Sequence, residues 1–439
     1  MKTSLLVSDA RTKKRNAAEA RFKAYGLSAI VVAMLALVIL LTSVLTNGLS
    51  SFQQTYITLP IELSADRVDK QGNRDPAEMA KTTTIGYAPL LRDAIVSEIA
   101  RQGLTTDLSD KDLAAVISKE AAASVRNRVL ANPDLVGQTV TFDLLASGRI
   151  DGFFKGRVTL ETAAVDGNTS PEAVILAQAL ADAGVIETKL NWNFFTAPDA
   201  SDQRPEAAGL GVAILGSLYM MLVVLFLALP IGVASSIYLE EFAPKNRITD
   251  IIEVNISNLA AVPSIVYGIL GLAIFINFME FNQSSPLVGG LVLTLMTLPT
   301  IIISTRAALK SVPPSIRDAA LGVGASKMQS VFHHVLPLAA PGILTGTIIG
   351  LAQALGETAP LLLIGMVAFV REYPAAFTPE AGLFGEASTA LPVQVYNWTQ
   401  RSDPAFVERA SGAIITLLVF LLIMNAVAIY LRRRFERRW

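Results

Sequence analysis

The sequence predicts an all-α polytopic membrane protein that also carries a small α+β domain. Its 439 residues have a mean hydropathy of +0.48, with 52% hydrophobic and only 17% charged residues, a balance typical of membrane proteins. Six apolar runs approach or exceed the roughly 20 residues that a spanning helix needs. The stretch between the first two runs has instead the composition of a soluble domain.

The first predicted element is a basic, cytosolic N-terminus over residues 1–23. The apolar run that follows it predicts a first transmembrane helix over residues 24–46. A cleaved signal peptide is the alternative, but the run is long for one and has no clear small-residue cleavage site. We therefore expect an uncleaved span whose basic end faces the cytosol.

Residues 48–203 are predicted to form an extracytoplasmic α+β domain. Alternating apolar residues predict strands at 55–59 and 191–194. Pro171 and Gly184 bound one predicted helix. A second helix is predicted from Ser109, because apolar side chains recur every four residues at Leu113, Ile117, Ala121 and Val125. No catalytic constellation occurs in this domain.

Five more spans are predicted within residues 205–431. They lie at about 209–239, 251–278, 287–305, 338–369 and 409–431. Six spans that start in the cytosol return the C-terminus to the cytosol, and the Arg-rich tail 432–439 agrees with this orientation. We interpret the tail as a topology anchor, and binding of membrane lipid headgroups is the alternative.

Composition excludes several kinds of chemistry. The chain has no cysteine, which excludes disulfides, thiolate metal sites and cysteine nucleophiles. Its two histidines, His333 and His334, are adjacent and do not indicate a metal centre. A net charge of −1 without a basic face indicates no nucleic-acid partner, and the Gly-x-x-x-x-Gly-Lys-Ser/Thr phosphate cradle is absent. We therefore expect a non-enzymatic chain without a cofactor.

A polar stretch at residues 310–337 interrupts the apolar runs. Ser315 and Asp318 after a Pro-Pro pair predict a capped helix start. Gly322 and Gly324 allow the chain to turn sharply. Ser326 and Gln329 then predict a second capped helix, which we expect to end near Pro337. The stretch is thus predicted to present two short helices at an angle.

The same stretch resembles the coupling loop of ABC importer permeases. That pattern is Glu-Ala-Ala, three residues, Gly, nine residues, Ile, one residue and Leu-Pro. Its counterparts here are Asp318, Ala319, Ala320, Gly324, Leu336 and Pro337. Asp318 replaces the usual Glu, and His334 stands where Ile is usual. The resemblance implies that the loop docks into a groove on a separate ATPase subunit, whereas an ordinary cytosolic helical hairpin is the alternative.

Two further motifs resemble those of phosphate importer permeases, at Val262–Gly268 and Gly356–Leu362. The second, with Glu-Thr-Ala-Pro-Leu-Leu, resembles the A-type subunit, PstA. The resemblance implies the six-span type I ABC importer permease fold in the bacterial inner membrane, with both termini cytosolic. It also implies five partners: phosphate, an ATP-binding subunit dimer, a second (C-type) permease subunit, an extracytoplasmic phosphate-binding protein and membrane lipid. The large insert departs from shorter family members.

Candidate residues for the translocation pathway are Glu357, Thr358, Gln353 and Arg306. An ionised carboxylate inside a span costs about 2.5–3.5 kcal/mol on insertion scales, so Glu357 must face a polar cavity or a cation, or stay protonated. Because a carboxylate repels phosphate, we predict that Glu357 holds an arginine in place. Family members often have Arg at the Gln353 position, so Arg306 or the partner permease would supply the cation. Purely structural roles are the alternatives, including snorkelling for Arg306 and helix packing for Gln353.

Three other functions are alternatives to a phosphate importer. A permease for a related oxyanion would have the same motifs. An ion-driven secondary transporter predicts an internal repeat and charged residues in several spans, which we do not find. A membrane sensor needs only one or two spans and a cytosolic output domain, and neither expectation fits this chain.

Overall fold

The computed structural model describes residues 10–367 and 369–435. Residues 1–9 of the predicted basic N-terminus and 436–439 of the predicted tail therefore lie outside the described residues. The chain starts with helix α1, Ala10–Gly48, whose apolar side chains are exposed along most of its length. Its end packs closely on the last helix, because a Cβ on Gly48 would lie 2.7 Å from the backbone carbon of Ser411.

The α+β domain follows, built on an antiparallel sheet of three strands in the order β2-β1-β3. The strands are β1 Gln53–Glu62, β2 Thr139–Leu145 and β3 Ile186–Leu190. Leu59 pairs with Phe142 on one side, and Ile57 pairs with Ile186 on the other. Alternate residues of β1 are fully buried, which confirms the predicted strand at 55–59.

Nine α-helices lie in the described part of this domain around the sheet. They are α2 Ala65–Val68, α3 Pro76–Met79, α4 Thr84–Arg101, α5 Asp110–Ala114, α6 Ala121–Ala131, α7 Gly148–Phe154, α8 Leu160–Ala163, α9 Pro171–Asp182 and α10 Asn193–Thr196. The prediction for α9 is confirmed, since Ser170 caps its start and Gly184 follows its end at a φ of +75°.

Two predictions for the domain are wrong. The helix predicted from Ser109 is two helices, α5 and α6, because Ile117 between them forms an isolated antiparallel bridge with Ala146. The strand predicted at 191–194 ends instead at Leu190 and gives way to the helical turn α10. Asn191 is the reason: its side chain accepts from the Phe194 N–H at 3.0 Å and so stabilises a turn.

The remaining helices form the membrane part. They are α11 Gly211–Ile237, α12 Arg247–Ala260, α13 Ser264–Gly271, α14 Pro286–Lys310, α15 Pro314–Gly322, α16 Lys327–Ser330, α17 Leu336–Gly356, α18 Ala359–Leu363, α19 Leu391–Thr399 and α20 Pro404–Phe435. Three of them continue as wider π-helical turns, at Tyr238–Phe242, Leu272–Phe278 and Val331–Val335. A short ribbon of β4 Phe377–Thr378 and β5 Gly382–Leu383 precedes α19.

Among the described residues, five helices are long and apolar enough to cross a membrane, and a bent pair makes a sixth span if it is counted as one. The bent pair is α12 and α13, which meet at an angle of 100°. The span predicted at 251–278 is therefore a bent pair of helices and not one straight helix. The run predicted at 338–369 is also interrupted, because α17 ends at Gly356.

A buried network of charges joins the α+β domain to the last helix. Lys155, whose side chain is only 3% exposed, lies 2.8 Å from Asp151 and 3.1 Å from Glu408 of α20. Arg157 pairs with the same Glu408 carboxylate. Removing one partner from a buried ion pair leaves an uncompensated charge and costs about 3–5 kcal/mol. These ion pairs therefore attach the α+β domain directly to α20.

Arg409, the next residue of α20, strengthens this junction. Its guanidinium donates to the carbonyl oxygens of Ala208 at 2.6 Å and Glu206 at 2.7 Å, and to Gln54 Oε1 at 3.0 Å. Trp398 lies fully buried in the adjoining apolar cluster, so its fluorescence should report on the junction.

The first prediction concerns Glu206, which lies at this junction. Burial raises the pKa of Glu206 in spite of its hydrogen bond from Ser118. Because the folded chain binds the Glu206 proton more tightly than the unfolded chain, protonation of Glu206 stabilises the folded state. This contribution is present at acidic pH and is lost as the pH rises through the raised pKa. We expect Glu206→Gln to raise the Tm at pH 8 and to leave it nearly unchanged at pH 5.

Scanning fluorimetry of the full chain in detergent between pH 5 and pH 8 measures this effect. Glu161→Gln, at an exposed position of the same domain, is the matched control and should not alter the pH profile. If Glu206→Gln shifts the Tm equally at both pH values, the carboxyl does not titrate as proposed.

Candidate functional site

The first break in a membrane helix lies at Ala261–Pro263. Proline lacks the N–H that a helix interior needs, and Val262 before it is disfavoured in the helical conformation. The chain therefore leaves α12 at Ala260 and restarts as α13 at Ser264. The buried Tyr267 stabilises the corner, because its hydroxyl donates to the Leu259 carbonyl at 2.8 Å.

The second break lies between α17 and α18. Gly356 ends α17, and Glu357 adopts an extended conformation with a ψ of 131°. Thr358 follows, and α18 begins at Ala359 with Pro360 in its first turn. Both breaks thus fall inside the motifs that the sequence analysis singled out.

The helices that follow the two breaks pack against each other. α13 lies on α18, and a Cβ on Gly268 would lie 2.7 Å from Pro360 Cα and 2.9 Å from its carbonyl oxygen. Unwound backbone is not tolerated against lipid, but it can line a pathway inside a protein. This contact is the strongest candidate for a translocation site in the described chain, and sequence reasoning missed it because each motif was treated separately.

The predicted pathway residues do not all come together. Gln353 is exposed, and Glu357 and Thr358 are partly exposed beside the second break. Arg306 lies elsewhere: it pairs with Glu253 at 2.6 Å and with Glu240 at 3.4 Å. The idea that Arg306 neutralises Glu357 is therefore wrong for this conformation. Within residues 10–367 and 369–435, Glu357 has no ion-pair partner.

The predicted coupling residues lie on α15, α16 and the start of α17. Asp318 and Ala319 are exposed, Ala320 is buried, and Leu336 and Pro337 are partly exposed. Gly324 has a φ of +90°, a conformation that other residues adopt only with strain. Val323 beside it is 86% exposed, which leaves an apolar side chain at the tip of the loop.

Of the predicted caps in this loop, one is confirmed. Ser326 and Gln329 form a capping box at the start of α16. Pro313 takes the first cap position without a side-chain hydrogen bond, so the predicted capping by Ser315 and Asp318 is wrong. The helix does not end near Pro337 either. Pro337 lies directly after the π-helical turn Val331–Val335, and helix continues to Gly356.

Comparison with known proteins gives two family matches. Residues 228–439 match the family described as "Binding-protein-dependent transport system inner membrane component", and residues 9–164 match "Domain of unknown function (DUF3333)". The phosphate transport system permease protein PstA of Mycobacterium leprae (strain TN) is 31% identical over 221 residues, which are 50% of this chain and 69% of that protein. This chain belongs to the PstA family of ABC-transporter permeases.

Two other relatives, from Mycobacterium tuberculosis and Bacillus subtilis, support the same family. PstA 1 of Mycobacterium tuberculosis (strain CDC 1551 / Oshkosh) is 30% identical over 53% of this chain and 73% of its own length. The probable ABC transporter permease protein YqgI of Bacillus subtilis (strain 168) is 31% identical over 56% of this chain and 84% of its own length. A chain of the inward-facing MetNI methionine ABC transporter aligns with 51% of this chain and 95% of its own length, at 16% identity and a TM-score of 0.40.

Membership of the PstA family confirms the predicted fold class, a six-span importer permease with an added α+β domain. The chain is a multi-pass protein of the inner membrane and a transport subunit rather than an enzyme. The DUF3333 match, 9–164, covers α1 and most of the α+β domain.

The second prediction tests the contact between the two breaks. Gly268→Ala places a methyl group against the Pro360 backbone, and overpacking of this kind costs about 1–3 kcal/mol. We expect this variant to unfold at a lower midpoint temperature than the unsubstituted chain. Circular dichroism of the protein in detergent measures that temperature. Gly356→Ala is the matched control, because a Cβ there meets nothing within 4 Å. Equal midpoints for the two variants would contradict the close packing of α13 on α18.

Proposed function

We propose that this PstA-family chain is the transmembrane permease subunit of an ATP-driven importer of inorganic phosphate and forms half of its translocation pathway. The observation that carries the proposal is the pair of packed helix breaks, which occur in the two segments that resemble phosphate permeases. Relatives named as phosphate transport permeases support the choice of substrate. A permease for a related oxyanion is the alternative.

The other half of the pathway would come from a second, C-type permease subunit. Glu357 is an ionisable side chain without a partner in the described chain, beside backbone that cannot face lipid. A cation from the second permease would neutralise it and, once held in place, would attract the phosphate. Gln353 and Thr358 lie near enough along the chain to offer neutral hydrogen bonds.

Energy would come from an ATP-binding subunit dimer, since the sequence holds no phosphate cradle of its own. Asp318 and Ala319 are exposed on α15, and Val323 projects from its end, so this face is available to an ATPase. ATP binding would close the ATPase dimer and move α15 and α16. Alternating access of the spans to the two sides of the membrane then follows.

The position of α11 supports the proposed orientation. α11 has 27 residues and is about 40 Å long. Its start lies against the α+β domain, and its end lies beside α15. The domain and the coupling helices are therefore at opposite ends of one span. With α15 in the cytosol, residues 48–203 are extracytoplasmic, where a phosphate-binding protein would dock, and both termini are cytosolic.

The third prediction concerns the substrate and Glu357. The full assembly in proteoliposomes should take up radiolabelled phosphate, and unlabelled sulfate should not compete. We expect Glu357→Gln to lower uptake about tenfold, because a charge-assisted hydrogen bond contributes about 1.5–3 kcal/mol. Glu380→Gln, at an exposed carboxylate, is the control. Normal uptake by Glu357→Gln would remove this residue from the mechanism, and competition by sulfate would favour the broader oxyanion function.

The fourth prediction concerns coupling. Gly324→Ala forces a side chain into the left-handed region, at a cost of about 1–2 kcal/mol, and should change the angle between α15 and α16. We expect less ATPase subunit to co-purify with this variant. Gly322→Ala is the matched control, because a Cβ there meets nothing within 4 Å and the residue lies in α15. Equal recovery of the ATPase with both variants would argue against docking at this loop.

A further inference from the structure

The π-helical turn Tyr238–Phe242, at the end of α11, holds two adjacent carboxylates that contact different helices. Glu240 lies 3.4 Å from Arg306 and 3.5 Å from Lys310, both on α14. Glu241, with only 7% of its side chain exposed, pairs instead with Arg317 of α15. π-helical turns inside longer helices are frequently functional, and this one places two consecutive acids against two partners.

Arg317 binds three elements at once. Its Nη2 lies 2.6 Å from Glu241 Oε1, and its Nε lies 3.1 Å from the same oxygen. Nη2 also donates to the Leu309 carbonyl at 2.9 Å, and Nη1 donates to the Val312 carbonyl at 2.8 Å. These two carbonyl groups lie at and just beyond the end of α14. The last carbonyl groups of a helix have no N–H partner within the helix, so they are free to accept from a side chain. One guanidinium thus fastens α15 to the ends of α11 and α14.

α15 therefore has two faces with different surroundings. Arg317 points inward to Glu241, and Ala320 is buried on the same side. Asp318 and Ala319, between them in sequence, are exposed. Apart from the segment 311–313, α15 is held to α14 by the hydrogen bonds of Arg317 and by Ile316, which packs against the apolar cluster of Ala308, Leu309 and Val312.

We propose that Arg317 is a positioning residue that makes the coupling helix α15 move as one body with α11 and α14. This inference rests on the proposed function, because it assigns the route by which an ATPase would move the spans. A push on the exposed face of α15 is transmitted through Arg317 and Glu241 to the end of α11. Arg306 extends the contact to α12 through Glu253, so the force also reaches the broken third span.

The first experiment measures phosphate uptake per ATP hydrolysed by the reconstituted full assembly. In Arg317→Gln the ATPase should stay bound and keep hydrolysing ATP. The phosphate taken up per ATP hydrolysed should fall about fivefold or more, since about fivefold is the smallest effect typical of coupling between two sites. Arg317→Lys keeps the charge but cannot make the bidentate contact with Glu241. It should give an intermediate ratio of phosphate taken up to ATP hydrolysed. Arg371→Gln is the matched control, since Arg371 is exposed and lies outside the coupling loop. A ratio that is unchanged in Arg317→Gln would overturn the proposal.

The second experiment needs no substrate. Because the chain has no cysteine, cysteines introduced at Ser315 of α15 and Phe226 of α11, both exposed, can be spin-labelled cleanly. We expect a narrow distance distribution by double electron–electron resonance, and a broad one after Arg317→Gln or Glu241→Gln. Distributions of equal width would overturn the positioning role. Broadening in an assembly that does not carry phosphate would support that role and reject only the substrate.

Discussion

Hydrogen bonding of the backbone inside the membrane constrains this structure more than any other interaction. A helix satisfies its own backbone groups, so every interruption must be covered by protein or by a polar pathway. The interruptions at Ala261–Pro263 and Glu357–Thr358 are brought together by α13 and α18, and the absence of a Cβ at Gly268 permits that approach. The same requirement explains why a carboxylate at position 357 can exist in an otherwise apolar run.

α11 links the two functional ends of the molecule. At its start, Gly211 lies close to the Thr196 carbonyl of the α+β domain, since a Cβ there would be 2.8 Å away. At its end, the π-helical turn carries Glu240 and Glu241 to the helices that lead into and out of the coupling loop. A displacement of α15 therefore moves the end of α11, while the start of α11 is held by its packing against the α+β domain. Transport by alternating access needs such stiff connections between its energy source and its gate.

The junction between the α+β domain and α20 uses the same kind of contact. Lys155, Glu408 and Arg409 are buried, and their charges are satisfied by partners from both sides of the junction. Buried ion pairs add little net stability compared with apolar packing, but they tolerate few alternative arrangements. The domain consequently keeps one position on the spans, and α1 adds a second attachment where Gly48 meets α20.

The sequence alone determined the positions of the apolar runs, the strand at 55–59, the helix that begins at Pro171, the cap at Ser326 and the spacing of the coupling loop, because each depends on residues a few positions apart. It did not determine that the third span bends by 100° or that the two breaks meet. It left the cation beside Glu357 open between Arg306 and the partner permease, whereas packing places Arg306 against Glu240, 66 residues away. Arg317 and Glu241 are 76 residues apart. Only the tertiary structure decides such pairs, because a charge is paired with whichever opposite charge the packed helices bring within a few ångströms.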